Sequence, residues 1–380
     1  MKKLKYGMVG GGKDAFIGEV HRKAMAMDSQ FELVAGALSS TAKKSIESGK
    51  DLGLSDNRNY PDWQTMLNSE LALPKEEQID FVVIVTPNHL HYPVAKAFAK
   101  AGFNIVCDKP LVHTLEQAKE LKKIVKEQNI VFAVSHNYTG YPMVKQARHM
   151  VKTGKLGKIR KIVIEYNQGW LASDLAATGQ KQASWRADPA KSGMAGALGD
   201  IGSHAENLMS TIAALEIKEI CADLTSFVEG RLLDDDASIL MRLESNAKAV
   251  LMASQIAVGE ENNLKISIFA EKASLIWQQE DPNYLVYKTM SEAMQVLKRG
   301  NDYLCEEAKA ASRLPSGHPE GFIEAFANLY LEFGKAVRAK QAGQVFSNFD
   351  FPNINDGLRG IKFIEKTLES ASSEQKWTEF

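Results

Sequence analysis

The 380-residue sequence has little of what marks several classes of protein. It contains three cysteines, an odd number with no CxxC pair, which argues against a disulfide scaffold and against a cysteine zinc site. No stretch approaches the roughly 20 apolar residues of a membrane-spanning helix, and the N-terminus lacks a signal-peptide pattern. The net charge is −1 and no run of lysine and arginine exceeds two, so a nucleic-acid surface is not expected. These absences favour a cytoplasmic protein that binds neither membrane nor nucleic acid.

The length and the apolar content of the chain are sufficient for two domains. Apolar residues make up 44% of the chain, and 380 residues are too many for one ordinary domain. In the first 140 residues, short apolar runs alternate with helical patterns. Phe81–Val85 is an almost continuous β-branched run, and Leu115–Gln128 has apolar residues at helical spacing. Such alternation predicts an α/β domain over residues 1–140 with a doubly wound parallel sheet.

The second half of the chain has a different rhythm. Strand-like segments follow one another with little between them from Ile217 to Lys288. We therefore predict a C-terminal α+β domain over residues 141–380, with an open and mostly antiparallel sheet. Residues 289–319 have no clean period and are expected to form a loop. A long helix over residues 320–340 is expected to pack back on the first domain.

The first predicted strand runs into a glycine-rich loop, YGMVGGGKDAFIGEVH. Gly10 and Gly12 match the first two glycines of a dinucleotide fingerprint, where they permit a tight turn and a close approach to a pyrophosphate. The third glycine is out of place, because Gly18 comes six residues after Gly12. The lengthened loop puts Lys13 near where phosphates would lie. The loop predicts a dinucleotide site, and the alternative is a tight turn in another α/β fold.

An acidic residue that would bind the cofactor ribose is missing from the end of the second strand. Ser39 and Ser40 stand there instead, followed by Lys43 and Lys44. A carboxylate would bind the 2′-hydroxyl and repel a 2′-phosphate, whereas these residues exclude neither cofactor. The sequence therefore leaves NAD and NADP open, and the lysines can equally belong to a solvated helix face.

Polar side chains follow the ends of two predicted strands. Open α/β sheets bind ligands beyond the carboxyl ends of their strands, so we expect these side chains to line a cofactor crevice. Pro110 would end the second of these strands, because proline cannot donate to the ladder. The alternative for the second cluster is a surface ion pair. The residues are Thr86, Pro87, Asn88 and His91 after the first strand, and Asp108 and Lys109 after the second.

Asp200 and His204 are four residues apart where a helix is predicted to begin. This spacing places a carboxylate and an imidazole on one helix face. The pair can be part of a site, or it can stabilise the helix end. No metal site is expected, because the sequence has no HExxH motif and no cysteine set.

Four motifs in this order, the glycine loop, TPNHLH, CDKP and GALGDIGSH, resemble the glucose–fructose oxidoreductase, inositol dehydrogenase and MocA-like family. The resemblance covers most of the chain. It implies a Rossmann domain followed by a domain whose open sheet supports oligomers, and NAD(P)-dependent chemistry at a ring carbon of sugars and cyclitols. It also implies that Lys109, Asp200 and His204 are catalytic, and it suggests a cis Lys109–Pro110 bond. Asp108 is a departure, because the family usually has glutamate there.

Alcohol oxidation explains why these residue types would be needed. The hydroxyl proton must leave while a hydride leaves the same carbon. A base with a pKa of about 7 suits this proton transfer, and His204 is the natural candidate. Lys109 can stabilise the developing alkoxide, and Asp200 can bind a neighbouring hydroxyl or hold a side chain in place. For Trp170, Arg186 and His318 the alternative is a packing or turn-shaping role. The expected substrate-binding residues are Lys109, Tyr138, Trp170, Arg186, Asp200, His204 and His318.

The leading interpretation is an NAD(P)-dependent dehydrogenase or reductase of a sugar, glycoside or cyclitol. An alternative from the same family is an enzyme that cleaves glycosides through transient oxidation by tightly bound NAD. A third possibility is a non-catalytic nucleotide-binding sensor, although a sensor would not need the catalytic residues. We expect a homo-oligomer, a dimer or a tetramer, because the strands from Ile217 to Lys288 have no second helical layer in sequence.

Overall fold

The computed structural model describes residues 2–175, 178, 180–186, 188–346 and 349–380. The chain divides into two compact units. The first unit contains Met1–Asn137 together with Phe326–Leu358, and the second contains Tyr138–Ala325 together with Arg359–Phe380. Each unit is therefore built from two separate stretches of the chain.

The first unit contains a sheet of five strands, β1 (Leu4–Gly10), β2 (Phe31–Ala37), β3 (Phe81–Val85), β4 (Asn104–Cys107) and β5 (Phe132–Val134). All pairings are parallel, and the order across the sheet is β2-β1-β3-β4-β5. This confirms the predicted doubly wound parallel sheet. Every residue of β3 is buried, as expected for a strand that is covered on both faces. The strand order reverses between β1 and β3, and open α/β sheets bind their ligands at such a point.

Helices alternate with these strands. Two of them begin at side-chain caps, which satisfy backbone N–H groups that have no partner within the helix. Asp62 accepts a hydrogen bond from the backbone N–H of Thr65, and Thr114 accepts one from that of Gln117. The helices are α1 (Phe16–Met27), α2 (Ala42–Asp51), α3 (Trp63–Ala72), α4 (His91–Lys100) and α5 (Leu115–Glu127).

The second unit contains a sheet of nine strands, β6 (Ile159–Asn167), β7 (Ile217–Thr225), β8 (Asp236–Leu243), β9 (Lys248–Ser254), β10 (Asn263–Ala270), β11 (Ala273–Gln278), β12 (Tyr284–Thr289), β13 (Gln295–Lys298) and β14 (Thr378–Glu379). The order is β13-β12-β11-β10-β6-β9-β8-β7-β14. Only the β6–β9 pair is parallel among these neighbours, so the predicted, mostly antiparallel sheet is confirmed.

The remaining helices are α6 (Pro142–Lys152), α7 (Lys181–Arg186), α8 (Pro189–Ser192), α9 (Ser203–Ala213), α10 (Glu306–Ala310), α11 (Phe322–Gln341) and α12 (Ile354–Ser372). Helices α6 and α9 pack on one face of the nine-stranded sheet and bury its alternate residues. A π-helical turn, Leu198–Gly202, precedes α9, so the predicted helix from Asp200 begins with an irregular turn. None of the helices in the described parts of the chain has both the length and the apolar character that a membrane crossing requires.

The prediction of a plain loop over residues 289–319 is wrong, because this segment contains β13 and α10. Strand β13 pairs only with β12 at the edge of the sheet, and three of its four residues are exposed. An edge strand of this kind has no alternation of apolar and polar residues. Helix α10 has five residues, which is too short for a helical period to be visible.

The C-terminal stretch Phe326–Leu358 packs on the parallel sheet within the first unit. The ring of Phe333 lies 5.1 Å from that of Phe81 in β3, and the ring of Tyr330 lies 5.9 Å from that of Phe31 in β2. Further along, the backbone N–H of Val134 in β5 donates to the carbonyl oxygen of Pro352. Most of α11 therefore belongs to the core of the first unit.

Candidate active site

The loop after β1 requires glycine at three consecutive positions. Gly10 and Gly11 have φ angles of +82° and +73°, in the left-handed region that favours glycine. A Cβ atom at Gly12 would lie 2.6 Å from the carbonyl oxygen of Leu38. The N–H of Gly12 donates to that same oxygen at 3.0 Å. The loop is thus held against the end of β2, where the adenosine half of a dinucleotide lies in such folds.

Gly18 takes the role of the third glycine of the fingerprint. A Cβ atom there would lie 2.3 Å from the Cα atom of Gly11, so α1 approaches the loop as closely as two glycines permit. The third fingerprint glycine serves this close packing of helix on strand. Sequence spacing hid the match, because the loop between Gly12 and Gly18 is longer than usual.

Two contacts tie the lengthened loop to α2. The backbone N–H of Lys13 donates to the hydroxyl of Ser48 at 3.1 Å, and the side chain of Lys13 is exposed. The ammonium of Lys44 lies 3.2 Å from the carboxylate of Asp14. Of the two serines predicted near the ribose, Ser39 is partly exposed and Ser40 is exposed, directly after β2. A contact between these serines and a ribose stays a prediction.

His91 braces the ends of two neighbouring strands. Its Nδ1 atom lies 2.8 Å from the carbonyl oxygen of Pro110, and its Nε2 atom lies 2.9 Å from that of Thr86. The ring is fully buried, and burial lowers its pKa. Both ring nitrogens are engaged in these contacts, and a contact between His91 and the cofactor stays a prediction. Of the neighbouring predicted residues, Asn88 is buried and Pro87 is exposed.

Asp108 shapes the turn that carries Lys109. One carboxylate oxygen of Asp108 accepts a hydrogen bond from the hydroxyl of Ser135 at 2.5 Å and another from the backbone N–H of Lys109 at 3.0 Å. The Lys109–Pro110 bond is cis, as the family resemblance suggested. Asp108 and Lys109 are both only partly exposed. The carboxylate of Asp108 is therefore a structural acceptor within this turn.

His21 is a buried histidine that sequence reasoning missed. Its Nδ1 atom lies 2.5 Å from the hydroxyl oxygen of Tyr330, and its ring packs edge-on against Phe326. Burial lowers the pKa of His21 to about 4, although the charge of Asp108 opposes this shift. The signal in the sequence was a single histidine in GEVH, three residues after Gly18.

In the second unit, Asp200 lies in the π-helical turn and accepts two hydrogen bonds at one carboxylate oxygen. The donors are Nε of Arg186 at 3.0 Å and Nε2 of Gln255 at 2.9 Å. The guanidinium of Arg186 lies 4.3 Å from the ring centre of Trp185 and 5.7 Å from that of Trp170. The structure thus brings together three of the predicted substrate residues, and it adds Gln255 to them.

His204 is buried among tyrosines. Its ring packs edge-on against Tyr138, with ring centres 4.8 Å apart, and against Tyr166 at 6.3 Å. The two tyrosine hydroxyl oxygens are 2.6 Å apart, and Tyr166 donates to Oδ1 of Asn262. Burial raises the pKa of both tyrosines, so both hydroxyls stay protonated at neutral pH. Tyr138 therefore lies beside His204 in the second unit, although it directly follows residues of the nucleotide domain.

A chain of side-chain amides continues from Asn262. Gln168 donates to Oδ1 of Asn262 at 2.8 Å, and Nε1 of Trp170 donates to Oε1 of Gln168 at 2.9 Å. Tyr166 and Asn262 were not predicted, because neither stands in a recognisable motif. Amides and hydroxyls in series are suited to a ligand that carries several hydroxyl groups.

His318 lies on an exposed turn that a buried arginine holds. Its carbonyl oxygen accepts a hydrogen bond from Arg299, which also donates to the carboxylate of Glu320 at 2.8 Å and to the carbonyl oxygen of Leu314 at 2.8 Å. The turn-shaping role considered for His318 is therefore present in the structure. Contact between its side chain and a substrate stays a prediction.

Comparison with known proteins relates the two units to one family. Residues 4–147 match the oxidoreductase family with an NAD-binding Rossmann fold, and residues 144–276 match the GFO/IDH/MocA C-terminal domain. The chain is 35% identical to the uncharacterized oxidoreductase YfiI of Bacillus subtilis, over 100% of this chain and 97% of that protein. It is 28% identical to levoglucosan dehydrogenase of Pseudarthrobacter phenanthrenivorans, over 74% of this chain and 75% of that one.

A solved structure is similar over the whole chain. The inositol dehydrogenase homolog of Azotobacter vinelandii, in complex with NADH and myo-inositol, superposes with a TM-score of 0.92. Its sequence is 34% identical, and the match covers 100% of this chain and 98% of that one. The chain therefore belongs to the GFO/IDH/MocA family of oxidoreductases and has the NAD-binding Rossmann fold of that family.

Proposed function

We propose that this oxidoreductase transfers a hydride between a nicotinamide cofactor and a ring secondary alcohol or ketone of a sugar, glycoside or cyclitol. The observation that carries the proposal is the cluster around Asp200 and His204. A carboxylate with two donors, a buried imidazole and a series of amides and hydroxyls meet in one unit. Such a set provides both a base and hydrogen-bond partners for several hydroxyl groups.

The glycine loop of the first unit fits NAD. The conformations of Gly10 and Gly11, and the space that a Cβ atom at Gly12 would fill, provide the tight turn that such a cofactor needs. Lys13 and Ser39 are the residues that we expect at the phosphates and at the ribose. When bound, the nicotinamide supplies the hydride chemistry.

His204 is the proposed general base. During oxidation it would take the proton of the substrate hydroxyl, and during reduction it would return that proton. Its edge-on contacts with Tyr138 and Tyr166 fix the plane of the imidazole. Because those tyrosines keep their protons at neutral pH, they add no negative charge beside the base.

Lys109 and Asp200 are the proposed binding residues for the substrate hydroxyls. Lys109 is proposed to donate to the reacting oxygen, so that its ammonium stabilises the alkoxide as the proton leaves. Asp200 is proposed to accept a hydrogen bond from a neighbouring hydroxyl. The guanidinium of Arg186, 3.0 Å from the Asp200 carboxylate, holds that carboxylate in place.

The substrate class follows from the donors and acceptors. Trp170 and Trp185 offer flat faces of the kind that pack against the CH face of a sugar ring, and Gln168 and Asn262 offer amides to its hydroxyls. The myo-inositol bound by the Azotobacter relative and the levoglucosan of the Pseudarthrobacter relative are compact rings with several hydroxyl groups. We therefore expect a ring of this kind.

A substrate screen tests the proposal. Purified protein is incubated with cyclitols, sugars and glycosides, each with NAD and with NADP, and the reduced nicotinamide is followed by its absorbance. We expect stoichiometric reduction with at least one ring polyol. Release of sugar from a glycoside without net reduction would instead establish the glycoside-cleaving alternative. Tight nucleotide binding without any turnover would contradict both and favour a sensor.

A further inference from the structure

Gln255 follows directly after β9 and is almost completely buried, with 3% of its surface exposed. Its side-chain Nε2 donates to Oδ2 of Asp200 at 2.9 Å, and its backbone is bonded at both ends. The N–H of Gln255 donates to the carbonyl oxygen of Asp235 at 2.8 Å, and its carbonyl oxygen accepts from the N–H of Leu171 at 3.1 Å. The amide that touches Asp200 therefore stands on a fixed backbone.

The π-helical turn that carries Asp200 is held by Asp234. One carboxylate oxygen of Asp234 accepts the N–H of Gly196 at 2.6 Å, and the other accepts the N–H of Leu198 at 2.7 Å. The carbonyl oxygen of Asp234 accepts the N–H of Ala197 at 2.9 Å. Asp234 thus accepts hydrogen bonds from the backbone N–H groups of three consecutive residues.

This approach is possible only because residue 196 is glycine. A Cβ atom at Gly196 would lie 2.0 Å from the carbonyl oxygen of Asp234. The carbonyl oxygen of Gly196 in turn accepts the N–H of Asp200 at 2.9 Å. The position of the Asp200 backbone is therefore linked to Asp234 through two hydrogen bonds in series.

The next residue, Asp235, forms hydrogen bonds with a different set of groups, which includes the backbone of Gln255. Its carboxylate accepts the N–H groups of Phe227 and Val228 and a hydrogen bond from Arg231, and its carbonyl oxygen holds Gln255. The dipeptide Asp234–Asp235 is therefore bonded to the turn below Asp200 and also to the residue whose amide meets the Asp200 side chain. Its position directly before β8 fixes both relative to the sheet.

We propose that Gln255 is a positioning residue for Asp200, and that the Asp234–Asp235 dipeptide holds Gln255 and the Asp200 turn in register. The proposal rests on the proposed function, in which Asp200 binds a substrate hydroxyl. Gln255 contributes a neutral donor, so it orients the carboxylate without adding a second charge beside that of Arg186.

Two substitutions at Gln255 separate orientation from simple packing. Gln255→Met keeps the volume but removes the donor, and kcat/KM is expected to fall about tenfold, the effect of losing one hydrogen bond to a charged group. Gln255→Glu places a second carboxylate against Asp200, and only its protonated form can donate. The ratio of variant to wild-type kcat/KM should therefore decline as the pH rises for Gln255→Glu and stay flat for Gln255→Met.

The charged and titratable groups that face Asp200 include Arg186, Tyr138 and Tyr166, and His204 lies on the following turn. They are the same in the wild type and in both variants, so their own titrations cancel in the ratio. Gln128→Glu, at an exposed position after α5, is the matched control and should follow the wild-type profile. A Gln255→Met enzyme with wild-type kcat/KM would overturn the positioning role.

A measurement without substrate keeps the two proposals separable. In Gln255→Glu, repulsion between the two adjacent carboxylates, together with the burial of residue 255, raises the folded-state pKa of the pair. The folded protein then binds more protons than the unfolded chain, so the free energy of unfolding falls as the pH rises. Adding Asp200→Asn should weaken this pH dependence without removing it, because burial alone still raises the pKa of a glutamate at position 255. An undiminished pH dependence in the double variant would show that residue 255 does not interact with Asp200, whatever the substrate screen finds.

Absence of turnover in the wild type would contradict the proposed function and with it the role of Gln255 in catalysis. A wild type that turns over, combined with a stability coupling but no kinetic effect of either Gln255 variant, would contradict only the positioning role. Asp234→Asn is a second probe, because an amide can accept only one of the two N–H groups that the carboxylate holds. We expect Asp234→Asn to lower kcat about tenfold, as for Gln255→Met, and to leave the affinity for NAD unchanged.

Discussion

The Nδ1 atom of His21 lies 2.5 Å from the hydroxyl oxygen of Tyr330, which joins α1 to α11 across 309 residues of sequence. Both residues are buried in the first unit, and burial lowers the pKa of His21 to about 4. An unfolded histidine has a pKa of about 6.5. The unfolded chain therefore takes up a proton in a pH range where the folded protein does not.

This difference predicts a loss of stability on acidification. Above its unfolded pKa, His21 is neutral in both the folded and the unfolded state. Its contribution to the free energy of unfolding is lost as the pH falls from about 6.5 towards about 4. Between about pH 7.5 and about pH 5, the wild type should lose about 2 kcal/mol more unfolding free energy than His21→Gln. Urea unfolding at the two pH values measures this, with the exposed His89→Gln as control. Equal losses in wild type and His21→Gln would contradict the prediction.

Lys109 and His204 should be needed for turnover and not for cofactor binding. Lys109→Ala removes the proposed charge-stabilising donor, an effect of about 10²–10³ on kcat, and His204→Ala removes the base, an effect of about 10²–10⁴. Because both act on one proton transfer, the losses in the double variant should not multiply. NAD affinity by calorimetry should stay near that of the wild type.

Exposed residues of the same types provide the controls for these variants. Lys122→Ala and His89→Ala should retain full activity, because both side chains are exposed. Full turnover of Lys109→Ala on the identified substrate would mean that the strand end at Lys109 is only a structural turn.

Ser39 is expected to lie near the ribose 2′-position, so a substitution there should change the preference for NAD over NADP. Ser39→Asp supplies the missing carboxylate, which binds a 2′-hydroxyl and repels a 2′-phosphate. We expect the ratio of NAD to NADP affinity to rise by about fivefold or more, on the ~1 kcal/mol scale of one charged hydrogen bond. Calorimetric titration with both cofactors measures the ratio, and Ser55→Asp is an exposed control. An unchanged ratio would place Ser39 away from the ribose.

The open face of the nine-stranded sheet is expected to bind a second copy of this chain. Leu240, Val250 and Val163 lie side by side across β8, β9 and β6, and all three are at least partly exposed. The rows of residues on either side of this apolar row differ in charge. On β6, Glu165 lies two positions after Val163 and Lys161 lies two positions before it. A two-fold axis along the apolar row would bring these opposite charges together.

Light scattering at micromolar concentration tests this association. The wild type should be a dimer or tetramer, and Val250→Lys should dissociate it, because the substitution buries an unpaired charge in the apolar row. Leu71→Lys is the matched control, since Leu71 is an exposed apolar residue on α3. A monomeric wild type would refute the prediction.

Much of the fold could be predicted from the sequence because the signals are local. The β-branched run Phe81–Val85 reports a strand buried on both faces, and the strand–helix alternation around it implies a parallel sheet. Lys109 could be placed at a strand end because Pro110 stops the ladder. The pair Asp200 and His204 was visible from helical spacing alone, although the π-helical turn that carries Asp200 was not.

Contacts between residues that lie far apart in the chain could be found only in the folded protein. The two kinds of sheet, the glycine loop, the lysine and the Asp–His pair were predictable from the sequence, because periodicity and motif spacing depend on nearby residues. It did not reveal that Gln255 meets Asp200, that Gly18 closes on Gly11, or that His91 spans two strand ends. These contacts depend on strand order and on the way in which backbones approach one another, and a hydrogen bond between distant residues leaves no period in the sequence.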